Sequence, residues 1–270
     1  LEDRQNVWCV LDARQQLVGF APMFPVLTTD AAGVTGPHEV WLVILARPDD
    51  AAADTVRDLL FTAVLQRAAA LKAAYGLAHL RLAADMMVSQ EADIAYLAQK
   101  GFAVYEQMLV MRRDTAEPIP DVSIPAEIAI RPSRLETAAS QAAYLAAYNV
   151  CFPDHPKTVD ELQFLLQSPL WRQGQVIAAY TPAGEIAGSI MLYRDPQEAH
   201  GVLDDVLVLP AWRGRGIARR LVGEGLRFFR ARGVPEVRLE VRASNAPAVA
   251  AYRAMGYRVV NQEHLLARVV

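Results

Sequence analysis

The sequence has 270 residues, of which 53% are hydrophobic and 21% charged, and its formal net charge at pH 7 is −3. This length predicts one large domain or two modest ones, and the apolar fraction excludes a disordered chain. The mild acidity gives no reason to expect a nucleic-acid partner, and without an apolar run of about 20 residues we expect no membrane-spanning helix.

The cysteines and the first residues bear on where the protein works. Cys9 and Cys151 are far apart and match no metal-ligand spacing, which predicts a reducing cytoplasm, no disulfide scaffold and no metal site. The first residues are charged and lack an apolar stretch, so we expect no signal peptide. Because the sequence begins at Leu1 without an initiator methionine, we expect a trimmed N-terminus.

The first half of the sequence predicts a β-hairpin followed by alternating strands and helices. In chain order these are the hairpin strands 7–11 and 17–26, a strand 39–46, a long helix 51–75, a strand 79–83, a helix 92–99 and a strand 103–112. Residues 114–125 then contain three prolines among polar and acidic residues. Proline fixes φ and removes a hydrogen-bond donor, so this segment predicts an extended linker between a domain 1–113 and a domain 126–270.

The second half predicts a mixed α/β domain with one more strand and two more helices at its start. Residues 201–209 are almost uniformly apolar after their two acids, which indicates a central strand. The predicted elements are a strand 127–131, helices 136–148 and 158–167, a hairpin 175–180 and 186–193, the strand 201–209, a helix 217–232, a strand 237–241, a helix 246–255 and a strand from 257.

The two halves also share short sequence matches on equivalent elements and in the same order, which predicts an internal duplication. The first copy lacks the opening strand and two helices of the second. The paired segments are 94–102 with 249–257, Arg81-Leu82 with Arg238-Leu239, and 17–19 with 186–188.

Charge is distributed unevenly along the chain. Residues 1–120 contain 10 Lys and Arg against 15 Asp and Glu, whereas seven arginines with one acid occupy residues 213–232. Such a basic segment indicates either a local anionic ligand or a solvated, arginine-rich helix face.

The basic segment begins with a glycine-containing loop, Arg213-Gly-Arg-Gly216, between a predicted strand and a predicted helix. Backbone N–H groups at glycines and the positive end of a helix together favour a phosphate or pyrophosphate. The loop lacks the lysine and spacing of a Walker motif, and Arg219 replaces the third glycine of a dinucleotide fingerprint. It matches Arg-x-x-Gly-x-Ala through Arg213, Gly216 and Ala218.

With its surroundings, this loop carries a resemblance to a known family. Over their full length, residues 126–270 resemble an N-acetyltransferase domain of the GNAT superfamily. The matching pieces are the strand and turn 203–210, the loop 213–218, the strand 237–241, Ser244-Asn245, Ala250-Ala251-Tyr252 and Met255-Gly256-Tyr257.

The resemblance implies acetyl-CoA as co-substrate and no metal. It implies that the central strand separates from its neighbour at a bulge, that Asn245 contacts the coenzyme, and that Tyr252 protonates the departing thiolate. The backbone of Val206, Leu207 and Val208 would pair with the pantetheine arm and the thioester carbonyl. The pyrophosphate would be held by the backbone N–H groups of Arg213, Gly214, Arg215, Gly216, Ile217, Ala218 and Arg219.

The chemistry also requires a group that removes a proton from the attacking amine. Asp204 and Asp205 are the candidates for this base, and strand alternation predicts that their side chains point to opposite faces. His200 and Glu198 are weaker candidates. A carboxylate at this position could instead bind the substrate amine or cap a neighbouring loop.

Several of these residues have a purely structural alternative. Tyr252 could be a packed helix tyrosine, and Asn245 suits the N-cap of the following helix. Trp212 would stack on adenine or pack on the sheet edge. His155 lies where family members arrange substrate loops but also suits a surface histidine, and Cys151 suits a small buried hydrophobe.

The first copy has lost the residues that carry this chemistry. Aligning Gly101-Phe102 with Gly256-Tyr257 puts Leu97 opposite Tyr252 and Gln90 opposite Asn245. Its loop has Asp49, Asp50 and Asp54 but no glycine, and these acids would repel a pyrophosphate. Residues 1–113 therefore predict a degenerate, structural GNAT-like domain. The tandem arrangement with one active half is similar to that of mycothiol synthase-like acetyltransferases.

Together these observations predict a cytoplasmic N-acetyltransferase that works by direct attack in a ternary complex. Its partner would be a small-molecule or peptide amine, with no nucleic acid or membrane, and the chain would be a monomer or homodimer. The alternative is a non-catalytic module that binds acyl-CoA for regulation. Nucleotide binding through the Arg-Gly loop is a third interpretation.

Overall fold

A computed structural model of the chain describes residues 3–27, 38–47, 51–153, 155–194 and 198–270. The chain divides into two compact units, Leu1–Gln107 with Glu263–Val270 and Met108–Gln262. Among the described residues, no helix combines the length and apolarity needed to cross a bilayer.

Strands and helices follow the predicted order throughout. Up to the predicted linker they are β1 (Val7–Leu11), β2 (Leu17–Val26), β3 (Glu39–Leu42), β4 (Leu45–Ala46), α1 (Ala53–Ala74), β5 (Arg81–Met87), α2 (Glu91–Gln99) and β6 (Ala103–Asp114). After it they are β7 (Ala129–Ser133), α3 (Ala138–Cys151), α4 (Val159–Gln167), β8 (Gln175–Tyr180), β9 (Ile186–Tyr193), β10 (His200–Val208), α5 (Ile217–Arg230), β11 (Glu236–Arg242), α6 (Ala246–Ala254) and β12 (Arg258–Val269).

One predicted strand, 39–46, is interrupted and forms β3 and β4. Both pieces pair with β2, but the ladder breaks opposite Pro22. Proline has no N–H to donate to a neighbouring strand, so only the Val43 N–H bonds the Pro22 carbonyl there, at 3.2 Å.

The sheets of the two units have the same topology. In the first unit β1, β2 and β3 are antiparallel neighbours, β3 and β5 are parallel, and residues 263–269 of β12 pair antiparallel with β5. In the second unit β8, β9 and β10 are antiparallel neighbours, β10 and β11 are parallel, and residues 108–114 of β6 pair antiparallel with β11. The second unit adds β7 beside β8. The repeated order agrees with an internal duplication.

Equivalent turns repeat this likeness in detail. Gly101 and Gly256 end α2 and α6 with φ values of 84° and 88°. The next residue in each copy, Phe102 or Tyr257, donates its N–H at 3.0 Å to the carbonyl of Leu97 or Tyr252, respectively. Glycine is favoured there because a side chain at positive φ is strained.

Two parts of the observed organisation differ from the predicted domains. The fifth strand of each unit comes from the predicted domain of the other unit, residues 263–269 for the first and 108–114 for the second, because the pattern of a strand does not specify which neighbour it pairs with. The predicted linker is irregular, but it lies inside the second unit. Thr115 donates to the Val234 carbonyl at 2.7 Å, and Glu117 forms an ion pair with Arg258 at 2.6 Å.

The second unit has a helix layer on each face of its sheet. On one face, the apolar stripe of α5 packs through Leu221, Leu226 and Phe229 against β9 and β10. On the other face, Tyr144 and Tyr148 of α3 pack with Leu162 of α4 against the same strands. Strand β10 therefore lies between the two layers, which places its C-terminal half at the centre of the unit.

Candidate functional site

The candidate site begins where β10 and β11 separate. Their parallel pairing covers only His200, Gly201 and Val202 of β10, although β10 continues to Val208. On the other side, the register between β10 and β9 shifts between Asp204 and Leu207. This bulge and separation, which the family resemblance implied, leave the backbone of residues 206–208 facing an opening instead of a strand.

A tight loop follows β10 and leads into α5. Gly216 is the N-cap of α5 and has a φ of 81°, while Gly214 has a φ of 76°. A Cβ atom at Gly216 would lie 2.7 Å from the Ser123 carbonyl oxygen, so a side chain is excluded by packing as well as by conformation. No side chain caps α5, and its first N–H groups point out of the helix end.

These elements enclose a cavity of about 520 Å³. Tyr252 and Asn245 of the α6 region line it together with Trp212 of the loop. Eleven of the predicted site residues contribute to its wall: Val206, Leu207, Val208, Arg213, Gly214, Gly216, Ile217, Ala218, Arg219, Asn245 and Tyr252. Arg215 does not line it, and its guanidinium lies over the Trp212 ring, 4.9 Å from the ring centre. Asp204 and Asp205 also lie outside the wall.

This wall fits a coenzyme with a pyrophosphate and an extended arm. The uncapped N-terminus of α5 and the side chains of Arg213 and Arg219 suit the anionic part. The remainder includes apolar side chains that were not among the predicted site residues, namely Phe152, Val222, Pro247, Ala248 and Ala251. Among the described residues, no group of three or more His, Cys, Asp or Glu side chains could hold a metal ion.

Tyr252 lines this cavity from α6. Its side chain is 8% exposed, and burial followed by the charge of Asp204 raises the pKa of its hydroxyl to about 12. The hydroxyl is therefore protonated at neutral pH, as an acid must be before it donates.

The two acids of β10 occupy different environments. Asp204 accepts hydrogen bonds from the Tyr193 hydroxyl at 3.1 Å and the Asp205 N–H at 2.8 Å, and its pKa is raised by burial and then by Asp205. The Asp205 carboxylate is bound by Lys157 Nζ and by the Tyr144 hydroxyl, each at 2.6 Å. Asp205 is thus engaged in an ion pair, whereas Asp204 contacts no cation within the described part of the chain.

The predicted placement of these acids on opposite faces is not observed. Asp204 accepts from the Tyr193 hydroxyl and Asp205 from the Tyr144 hydroxyl, and both tyrosines belong to the same hydrophobic cluster. The reason is the bulge, where Asp205 has a φ of 45° and strand alternation is interrupted.

The weaker base candidates lie elsewhere. Glu198 and His200 contact each other at 3.5 Å and line a different cavity of about 390 Å³. That cavity shares no lining residue with the one at Tyr252.

Three of the four other residues with a structural alternative, Asn245, Trp212 and Cys151, line the cavity. Asn245 caps α6 by accepting from the Ala248 N–H at 3.3 Å, and it also lines the cavity. Trp212 and Cys151 line the cavity too, and burial raises the pKa of the Cys151 thiol. His155 contacts Arg242 of β11 at 3.2 Å.

The equivalent positions of the first unit carry different side chains. Leu97, opposite Tyr252, is 2% exposed in an apolar core. Gln90, opposite Asn245, accepts from the Met87 N–H at 2.8 Å without capping α2. Asp54 is exposed and forms an ion pair with Arg57 at 3.6 Å, while Asp49 and Asp50 lie outside the described residues.

Comparisons with known proteins agree with this geometry. Residues 141–257 match the model of the acetyltransferase (GNAT) family. A mycothiol acetyltransferase of Acidothermus cellulolyticus is 31% identical over 180 residues, covering 58% of this chain and 53% of that protein. One from Streptomyces bingchenggensis is 32% identical over 171 residues, covering 60% and 54%. The chain spans about half the length of the curated relatives it matches.

Solved structures give the fold of both halves. A GCN5-related N-acetyltransferase from Sphaerobacter thermophilus superposes with a TM-score of 0.77 and 20% identity, covering 98% of this chain and 81% of that one. A tandem GNAT protein from the clavulanic acid biosynthesis pathway gives 0.72 and 14%, covering 97% and 82%. The predicted mixed α/β fold of tandem GNAT type is therefore confirmed.

Proposed function

The chain carries a domain of the GNAT acetyltransferase family over residues 141–257, and on this premise we propose that it transfers an acetyl group from coenzyme A to a primary amine. The observation that carries this proposal is the cavity of about 520 Å³, which joins an anion-binding helix end to a protonated Tyr252 influenced by Asp204. Acetyl-CoA would supply the thioester carbon that the amine attacks.

The positions of the residues support the roles we propose, with Asp204 outside the cavity wall but near enough for its charge to raise the pKa of Tyr252 after burial has done so. The N–H groups at the start of α5, with Arg213 and Arg219, would bind the pyrophosphate. The exposed backbone of β10 would orient the pantetheine arm and stabilise the oxyanion formed by attack. Asp204 would take the amine proton, directly or through water, and Tyr252 would protonate the thiolate that leaves.

The class of the acceptor amine is inferred from the relatives and not from the geometry of the cavity. The relatives named mycothiol acetyltransferase favour a small-molecule acceptor over a peptide. We also propose that the protein works in the cytoplasm, where acetyl-CoA is available and its two cysteines stay reduced.

The experiment measures thiol release from acetyl-CoA with a panel of small amines. We expect turnover by the wild type, and a loss of about 10²-fold or more in kcat for Tyr252→Phe with coenzyme affinity retained. Tyr257→Phe is the matched control, because the Tyr257 ring is buried beside Tyr252 but does not line the cavity. Tight coenzyme binding without transfer to any amine would favour the regulatory module instead.

A further inference from the structure

The bulge in β10 is held by side chains from outside the sheet. Asp205 has a φ of 45°, a conformation that costs energy for any residue with a Cβ, although Asp and Asn tolerate it best. One oxygen of its carboxylate, Oδ2, accepts from both Lys157 Nζ and the Tyr144 hydroxyl. The Lys157 and Asp205 side chains are 20% and 11% exposed, so this ion pair is largely withdrawn from water.

Lys157 is itself fixed in place. Its N–H donates to Asn149 Oδ1 at 2.8 Å, and its carbonyl accepts from Asn149 Nδ2 at 3.2 Å. Its ammonium lies 4.3 Å from the centre of the Tyr148 ring, within the range of a cation–π contact. Thr158, the next residue, forms a capping box with Glu161 at the start of α4. The lysine is therefore anchored to both α3 and α4.

We infer that Lys157 is a positioning residue for the proposed transfer reaction: it neutralises Asp205 at the bulge, fixes the backbone beside the cavity, and leaves Asp204 as the carboxylate that accepts the amine proton. This inference rests on the proposed function. It explains why two adjacent acids can both be buried without both acting as bases. Without the ammonium, the buried charge of Asp205 would be uncompensated and would oppose ionisation of Asp204.

The groups around Asp204 determine the direction in which its pKa changes when Lys157 or Asp205 is replaced. Asp205 of β10 raises its pKa, whereas Lys157 lowers it and the Tyr193 hydroxyl of β9 stabilises its ionised form. Tyr144 and Tyr148 of α3 and Tyr252 of α6 face it as neutral phenols whose pKa values it raises. Glu240 of β11 acts on Tyr193. Removing Lys157 should therefore raise the pKa of Asp204, and removing the charge of Asp205 should lower it.

The test compares Lys157→Met, Asp205→Asn and the double variant in two measurements. The first is the pH dependence of kcat/KM. The second is a titration of Asp204 by NMR in protein with 13C-labelled aspartate, assigned with Asp204→Asn. We expect the acidic limb to move to higher pH in Lys157→Met, to lower pH in Asp205→Asn, and back towards the wild type in the double variant. We also expect Lys157→Met to lose on the order of 10²-fold in kcat through misplacement.

Two further variants keep the test decisive. Lys157→Arg retains the charge and should keep the acidic limb near its wild-type position. Lys100→Met is the matched control, because Lys100 bonds Asp58 at 2.7 Å and lies 5.1 Å from the Tyr96 ring in the first unit. It should move neither measurement.

A loss of rate with no movement of the acidic limb, or the same direction in both single variants, would overturn the inference. If the wild type transfers no acetyl group, the proposed function fails. The NMR titration would still decide whether Lys157 controls Asp204.

Discussion

At the scale of single residues, we propose that Tyr252 and Asp204 act as the acid and the base of the reaction, with pKa values adjusted by burial. Burial raises both pKa values, and each negative charge nearby adds to the effect. For Tyr252 this keeps the proton on the hydroxyl. For Asp204 it produces a stronger base than an ordinary carboxylate, as proton abstraction from an amine requires.

Replacing Asp204 should lower the activity of the protein without lowering its stability. We expect Asp204→Asn to lower kcat/KM by about 10²–10⁴-fold, because the proton acceptor is lost. Glu198→Gln, in the other cavity, should stay within about twofold, and a comparable loss there would contradict the assignment.

The same variant should stabilise the fold at neutral pH. A raised carboxyl pKa means that folding favours the protonated form, so its stabilising contribution is present below the unfolded pKa and is lost as pH rises through the folded pKa. Asparagine stays neutral and avoids this loss. Thermal denaturation should therefore show a higher Tm for Asp204→Asn at pH 7 and a smaller difference near pH 4. A lower Tm at both pH values would refute this account.

At the scale of elements, the arginines of residues 213–232 fall into two groups, those that line the cavity and those that pair with other parts of the second unit. Of its seven arginines, only Arg213 and Arg219 line the cavity. Arg220 and Arg227 pair with Glu224 within α5, and Arg230 bonds backbone carbonyls of the segment after β6. These three arginines therefore make structural contacts, which fits neither a free anion site nor a wholly solvated helix face, and Arg213 and Arg219 remain for the proposed anion site.

The loop before α5 offers a matched pair of substitutions. Gly216→Ala and Gly214→Ala both place a Cβ at positive φ, which should cost about 1 kcal/mol in the free energy of unfolding at Gly214 and more at Gly216. Only the Cβ at position 216 would meet the Ser123 carbonyl, whereas the space around Gly214 is open. We expect calorimetry to show coenzyme affinity weakened at least about tenfold in Gly216→Ala and little changed in Gly214→Ala. Equal affinities would show that the helix end does not hold the coenzyme.

At the scale of the whole molecule, the chain contains two units of one topology with different chemistry. The second unit has a glycine loop before its long helix, Tyr252 on its short helix and two adjacent acids on its central strand, whereas the first has no glycine in the equivalent loop and Leu97 opposite Tyr252. We propose that the first unit is a degenerate, structural copy, because it has Leu97 at the position of Tyr252 and Gln90 at the position of Asn245. Its acidic composition agrees with the absence of an anion-binding role.

The stoichiometry of coenzyme A binding tests the proposal that only the second unit binds the coenzyme. We expect titration calorimetry to give one coenzyme A per chain, and Gly216→Ala to weaken that single event. Two sites, or a site that persists unchanged in this variant, would show that the first unit binds the coenzyme as well.

Local features of the fold and of the candidate site could be predicted from the sequence, because periodicity, turn residues and a short loop motif each depend on only a few neighbouring residues. They indicated the order of strands and helices, the duplication, the loop at Arg213–Gly216 and the position of Tyr252. Contacts distant in sequence decide instead the pairing partner of the fifth strand in each unit, the different environments of the two acids and the proposed role of Lys157. Lys157 and Asp205 are 48 positions apart. Their interaction exists because folding buries both charges beside a bulge, and no local pattern encodes it.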